Sequence, residues 1–105
     1  MDKTLFEKIW EKHVVRTVED GPSVLYIDKH FIHEVTSPQA FKGLEKRDLK
    51  VFRPAQIVAT ADHNVPTIDQ HLPIKEELSR KQVEALKTNC ANFGIDWIIL
   101  WVVIQ

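Results

Sequence analysis

At 105 residues, 44% hydrophobic and 28% charged, with a formal charge of -1, the chain has the size and make-up of one small soluble domain and is neither disordered nor fibrous. Acids and bases are interspersed, so there is no basic field to attract nucleic acid. A lone cysteine, Cys90, excludes an internal disulfide; no apolar leader follows Met1, and the longest apolar run, Trp97 to Ile104, falls short of the roughly 20 residues a membrane helix requires, so a cytoplasmic protein without a membrane span is expected.

Thr4-Leu5-Phe6-Glu7 is a capping-box pattern, and Leu5, Phe6, Ile9, Trp10 and His13 then recur at helical spacing. Gly21-Pro22 breaks the chain before Val24-Leu25-Tyr26-Ile27, a continuous apolar run ending on Asp28 that reads as a first, buried strand. His30 to Glu34 reads as a polar loop leading into a helix. Ser37-Pro38 offers an N-cap and a proline for the first turn, which predicts a short helix from Gln39 to about Lys46 with Phe41 and Leu44 inward. Ile57 to Ala61 is the second strand candidate and Asn64 to Pro73 a loop. From about Lys75 a longer helix places Leu78, Val83, Leu86, Cys90 and Phe93 on one side, with Gly94 as its C-terminal cap. Trp97 to Ile104 is the third strand candidate. Strand, helix, strand, helix, strand is the order of an α/β unit with mostly parallel strands.

In such sheets ligands gather beyond the carboxyl ends of the strands, and this reading puts Asp28 and the pair Asp62-His63 at two of those ends. A carboxylate beside a histidine can hold the ring in one tautomer, as proton-transfer sites require; the bland alternative is an Asx-type turn that closes the strand. Gln39, at a helix start, can donate to an anionic ligand together with free amides. Asp28, His30, His33 and Glu34 are metal-ligand types close in sequence, but their spacing matches no zinc pattern. Cys90, on an apolar helix face, reads as a small hydrophobe rather than a nucleophile or a cluster ligand. His13 and His71 carry no partner motif, and the tryptophans read as core or interface groups.

Four segments go further: "KTLFEKIWEKHVV" (3–15), "LYIDKHFIHEVTSPQAFKGL" (25–44), "ATADHNVPT" (59–67) and "NCANFGI" (89–95). Together they resemble, over about residues 3–95, the N-terminal part of the large subunits of bacterial 3-isopropylmalate dehydratases, a branch of the aconitase family of hydro-lyases. The resemblance implies a partial three-layer α/β/α unit, as in the N-terminal part of the aconitase iron-sulfur domain. It also implies isomerisation of 2-isopropylmalate to 3-isopropylmalate in leucine biosynthesis by dehydration and rehydration, with a 4Fe-4S cluster and a separate small subunit. By that resemblance the glutamine matching Gln39 contacts substrate, while the pair matching Asp62-His63 protonates the departing hydroxyl.

Against its relatives the chain departs in two ways. The family's cluster cysteines lie far downstream, and Cys90 matches none of them, so no metal ligand and no cluster are expected within residues 1–105. The final stretch, residues 96–105, is more apolar than the family pattern. The chain therefore reads as an N-terminal fragment that is inactive alone, and the apolar tail Trp97–Ile104 suggests self-association. Another aconitase-type hydro-lyase, such as a homoaconitase or a citraconate hydratase, and a non-catalytic remnant are the alternatives.

Overall fold

The structure, a computed structural model, describes residues 1–98. It opens with helix α1 (Leu5–His13), capped as the sequence predicts: the Thr4 hydroxyl accepts from the Glu7 amide and the Glu7 carboxylate accepts from the Thr4 amide. No residue of α1 is buried among the described residues, and Phe6 stacks on Trp10 along its apolar face with ring centroids 5.6 Å apart.

The chain passes from His13 directly into strand β1 (Val14–Thr17), which pairs antiparallel with β2 (Ser23–Leu25). This hairpin corrects the reading of Val24 to Ile27 as the first buried strand of the parallel sheet. Val24 is 48% exposed and Ile27 62%, so the run is apolar without being covered. The cause lies in β1: no breaker separates it from α1, so the β-branched pair Val14-Val15 is hidden inside what reads as helix.

The parallel sheet is built from β3 (His30–Ile32), β4 (Ile57–Ala59) and β5 (Asp96–Trp97), in that spatial order. Its first strand is therefore the segment that reads as a polar loop. Only one side chain in three there faces the core: Ile32 packs inward, whereas Phe31 is 70% exposed. Between these strands run α2 (Ser37–Lys46) and α3 (Glu77–Phe93). Ser37 does not cap α2 as expected. Thr36 occupies the cap position without a side-chain hydrogen bond, and the Ser37 hydroxyl instead donates to the His33 carbonyl at 2.5 Å, tightening the β3–α2 turn.

Phe41 of α2, Leu86 and Cys90 of α3, Ala59 of β4 and Ile95 form one buried cluster, with Ile32, Leu44, Ile57, Phe93 and Trp97 packed around it. Both helices therefore cover the same face of the sheet, and the Phe41 and Phe93 rings meet at 5.0 Å. The described residues thus form a partial α/β unit, a parallel sheet with one helical layer, as the predicted fold class requires. Burying a side chain such as Leu86 stabilises the fold by about 1.5–3 kcal/mol. Leu78 is the exception on α3: it is exposed, because it lies in the first turn beyond the edge of the cluster. Glu76 caps α3 through its carboxylate, which accepts from the amides of Leu78 and Ser79. Gly94 ends the helix at φ 70°, a left-handed conformation that a Cβ would oppose. Among the described residues no helix is long and apolar enough to cross a membrane. Most of the third strand candidate, from residue 99 on, lies outside the described residues.

Candidate functional site

Strands β3 and β4 run side by side with Ile32 level with Ala59, so the segments that leave their carboxyl ends emerge together. From β3 comes His33-Glu34, and from β4, after Thr60 and the buried Ala61, comes Asp62-His63-Asn64. The Thr60 amide still donates to the Ile32 carbonyl at 3.0 Å, which extends the pairing one residue beyond the strand.

His63 Nδ1 is hydrogen-bonded to Asp62 Oδ1. A carboxylate only accepts, so this contact assigns the proton to Nδ1 and directs Nε2 away from the pair. Both side chains are partly open to solvent, His63 at 57% and Asp62 at 44%. The His33 ring lies against the His63 ring at a centroid distance of 4.6 Å and a tilt of 40°, and its own Nδ1 accepts from the Val35 amide at 3.2 Å.

Beneath them lies Glu34, which is 0% exposed. Its Oε1 accepts from the amides of His63 at 2.7 Å and Asn64 at 2.6 Å, and its Oε2 accepts from the Asp62 amide at 3.1 Å. Burial pushes this carboxyl up, but the amides of Glu34, Asn64, Asp62 and His63 together outweigh burial, so its pKa lies below the ordinary glutamate value. Asn64 extends the network: its Nδ2 donates to Gln82 Oε1, and its Oδ1 accepts from the Ser79 hydroxyl at 3.1 Å. The first half of α3 thereby holds the loop from the other side.

Gln39 stands exposed in the first turn of α2, and no hydrogen bond joins it to Asp62-His63 among the described residues. Asp28 is not at a carboxyl end of the parallel sheet, since it lies two residues before β3 begins. It pairs with His13, across from the hairpin, at 2.9 Å, which gives His13 a partner that sequence spacing does not show. Asn64, Ser79 and Gln82 are residues the sequence reading does not single out, and Glu34 stands out there only as a metal-ligand type. Its part in holding the loop has no local signal, because a glutamate between His33 and Val35 looks like loop until β3 is known to end just before it.

His33, Glu34, Asp62 and His63 each place a ligand atom within 4.8 Å of the others, the density of a metal site. The donor set argues otherwise, since both Glu34 oxygens are taken by backbone amides and His33 Nδ1 by the Val35 amide. The described residues do not fit an iron-sulfur cluster either. The chain's single cysteine, Cys90, is buried against Leu86 and Phe41, and burial pushes its thiol up, the opposite of what a thiolate ligand requires. What the arrangement offers is a place for a ligand: a cleft of about 410 Å³ opens from His63 and Asn64 along the loop to Ile74 and Ser79.

The fold and the site together define a parallel α/β unit that presents an acid–imidazole pair at its carboxyl edge, where open sheets bind ligands. The chain belongs to the aconitase family (aconitate hydratase), whose sequence model it matches over residues 7–101. It is similar to the 3-isopropylmalate dehydratase large subunit of Cytophaga hutchinsonii, 65% identical over 95 residues, which are 90% of this chain and 20% of that protein. The large subunit of the same name from Flavobacterium johnsoniae is 58% identical over 95 residues, again 90% of this chain and 20% of the relative. That from Bacteroides fragilis is 58% identical over 92 residues, 88% of this chain and 20% of the relative. The chain thus spans about a fifth of the length of the curated relatives it matches, 20% in each of these three. No solved structure matches it.

Proposed function

We propose that this chain is the N-terminal part of a cytoplasmic hydro-lyase of the 3-isopropylmalate dehydratase type, family-like over about residues 3–95, acting in leucine biosynthesis on 2- and 3-isopropylmalate. The observation that carries the reading is the Asp62-His63 pair: Nδ1 is held by the carboxylate, Nε2 is left open beside a cleft, and both residues stand where open α/β sheets bind ligands. Hydroxide leaves a carbon poorly, so dehydration requires a proton delivered to the departing oxygen. In this proposal His63 acts as the doubly protonated ring, delivers its Nε2 proton to the departing oxygen and is left protonated at Nδ1 alone, while Asp62 holds the ring and balances its charge and Gln39 binds a substrate carboxylate. The 4Fe-4S cluster that the family implies would be held by residues other than those described, and the small subunit would complete the site. The chain alone is therefore expected to be inactive. Replacing the residue equivalent to His63 by alanine, in an intact large subunit assembled with its small subunit, should lower kcat by about 10²–10⁴-fold with cluster content unchanged. Full turnover, or loss of the cluster, would reduce His63 to a residue that closes a turn.

We further propose that the chain self-associates through Trp97–Ile104, a run with high β-propensity and no charge or proline. Sedimentation of the whole chain against one ending at Asp96 tests it: the longer form should sediment as a dimer or larger and the shorter as a monomer. Two monomers at tens of micromolar would overturn the idea.

A further inference from the structure

Side chains of adjacent residues ordinarily diverge, because successive Cβ atoms point to opposite faces of an extended chain. For Asp62 and His63 to meet, the backbone that carries them must turn, and it bends at residues 63–65, after the last rung of β4, where no sheet partner among the described residues enforces the turn. What does enforce it is one carboxylate. The amides of three consecutive residues, Asp62, His63 and Asn64, converge on Glu34 at 3.1, 2.7 and 2.6 Å. A buried carboxylate is costly unless its lone pairs are filled, and hydrogen bonds from amides to a charged acceptor are about twice as strong as neutral ones. These bonds satisfy Glu34 and fix the loop at the same time. Glu34 is itself anchored: it leaves β3 just before α2, and the Ser37 hydroxyl ties that turn to the His33 carbonyl at 2.5 Å. On the far side, Asn64 is braced by Ser79 and Gln82 of α3.

We infer that Glu34 is the positioning residue of the site, its carboxylate clamping the backbone of residues 62–64 so that the Asp62 carboxylate meets His63 Nδ1 and leaves Nε2 facing outward. The inference rests on the reading of His63 as proton donor, but the geometry it describes is a property of this chain and can be measured without activity.

The test is nuclear magnetic resonance on the whole 105-residue chain, labelled with ¹³C and ¹⁵N. In the wild type, couplings across the hydrogen bonds should link the Glu34 carboxylate carbon to the amide nitrogens of His63 and Asn64. The His63 ring should show the nitrogen pattern of a single tautomer protonated at Nδ1. In Glu34→Gln, which keeps the shape but can no longer accept at both positions, the amides of residues 62–64 should exchange about 10- to 100-fold faster, the loss expected for hydrogen bonds to a charged group. The amides of Leu86 and Cys90 should exchange as before, and the His63 nitrogens should move to a mixture of tautomers. Should Glu34→Gln not fold, Glu34→Asp, which keeps the charge but withdraws it by one methylene, carries the same readouts. Missing couplings in the wild type would overturn the clamp. Faster exchange with an unchanged His63 ring would make Glu34 a brace for the backbone alone and overturn its positioning role. Failure of His63 as the acid would show instead as undiminished kcat in the alanine variant of the intact enzyme, so the two ideas fail on different measurements.

Discussion

His13 and His63 each pair with an aspartate, but they spend their ring nitrogens differently. At the end of α1, His13 Nδ1 contacts the Ile9 carbonyl at 2.6 Å and Nε2 contacts Asp28 at 2.9 Å, so both nitrogens are used. A carbonyl and a carboxylate are both acceptors, so this arrangement favours the doubly protonated ring; the Ile9 carbonyl and then Asp28 raise the His13 pKa above its ordinary value. His63 has one nitrogen on Asp62 and the other uncommitted within the described residues. An imidazole with both nitrogens occupied joins two segments of chain, here a helix end and the stretch after a hairpin. One with a single nitrogen occupied is oriented and still able to exchange a proton with a ligand. The residue types are the same, and backbone position makes the difference: Asp28 reaches His13 across tertiary space, whereas Asp62 is the neighbour of His63 in sequence.

The contrast is broken most sharply at the carboxylates. In an intact, assembled large subunit, the asparagine variant at the position of Asp62 should lower kcat by about 10²-fold or more, because an amide can present a donor to Nδ1 and select the wrong tautomer. The asparagine variant at the position of Asp28 should leave kcat unchanged within experimental scatter and show only a small loss in urea resistance, as expected of an exposed pair. Steady-state kinetics and urea denaturation of both variants decide it. Equal losses of kcat would mean that the two pairs do not differ in kind.

Much of this division was legible in the sequence, and the reason it was not complete is physical. The capping box at Thr4 and Glu7, the inward positions Phe41 and Leu86, the αL cap at Gly94 and the parallel α/β order all depend on local pattern, which sequence displays directly. Asp62-His63 was visible as a pair because its partners are adjacent. Glu34 was visible only as a metal-ligand type, since its importance comes from lying beside residues 62–64 where two parallel strands end together, and β3 is too short and too mixed in polarity to announce itself. The hairpin was hidden by the same cause in reverse: β1 continues α1 without a break, so Val24 to Ile27 was assigned a core that the structure gives to Ile32, Ile57 and Ala59.

The smallest expected effect concerns pH and sharpens the structural side of the comparison. Because His13 has a raised pKa in the folded chain, its pairing stabilises the fold fully below the unfolded histidine value of about 6.5 and is lost as pH rises through the folded value. Asp28 runs the other way. Its hydrogen bond to His13 lowers its pKa, so its contribution is present above the unfolded aspartate value and disappears as pH falls through the folded one. The pair therefore contributes within a window bounded below by Asp28 and above by His13, and a histidine at the C-terminal end of α1 gains further from the helix dipole while it is charged. Measured as the wild-type urea midpoint minus that of His13→Gln at each pH, the difference should be positive near pH 5.5 and shrink steadily toward pH 8 or above. Taking the difference removes the titration of His30, His33, His63 and His71, which both proteins share. Added salt should flatten the curve, since the Asp28 side chain is 62% exposed and its Coulombic share is screened. A difference that grows with pH would mean that His13 is paired as the neutral ring, and the distinction between a tethering and a proton-exchanging imidazole would then have to rest on His63 alone.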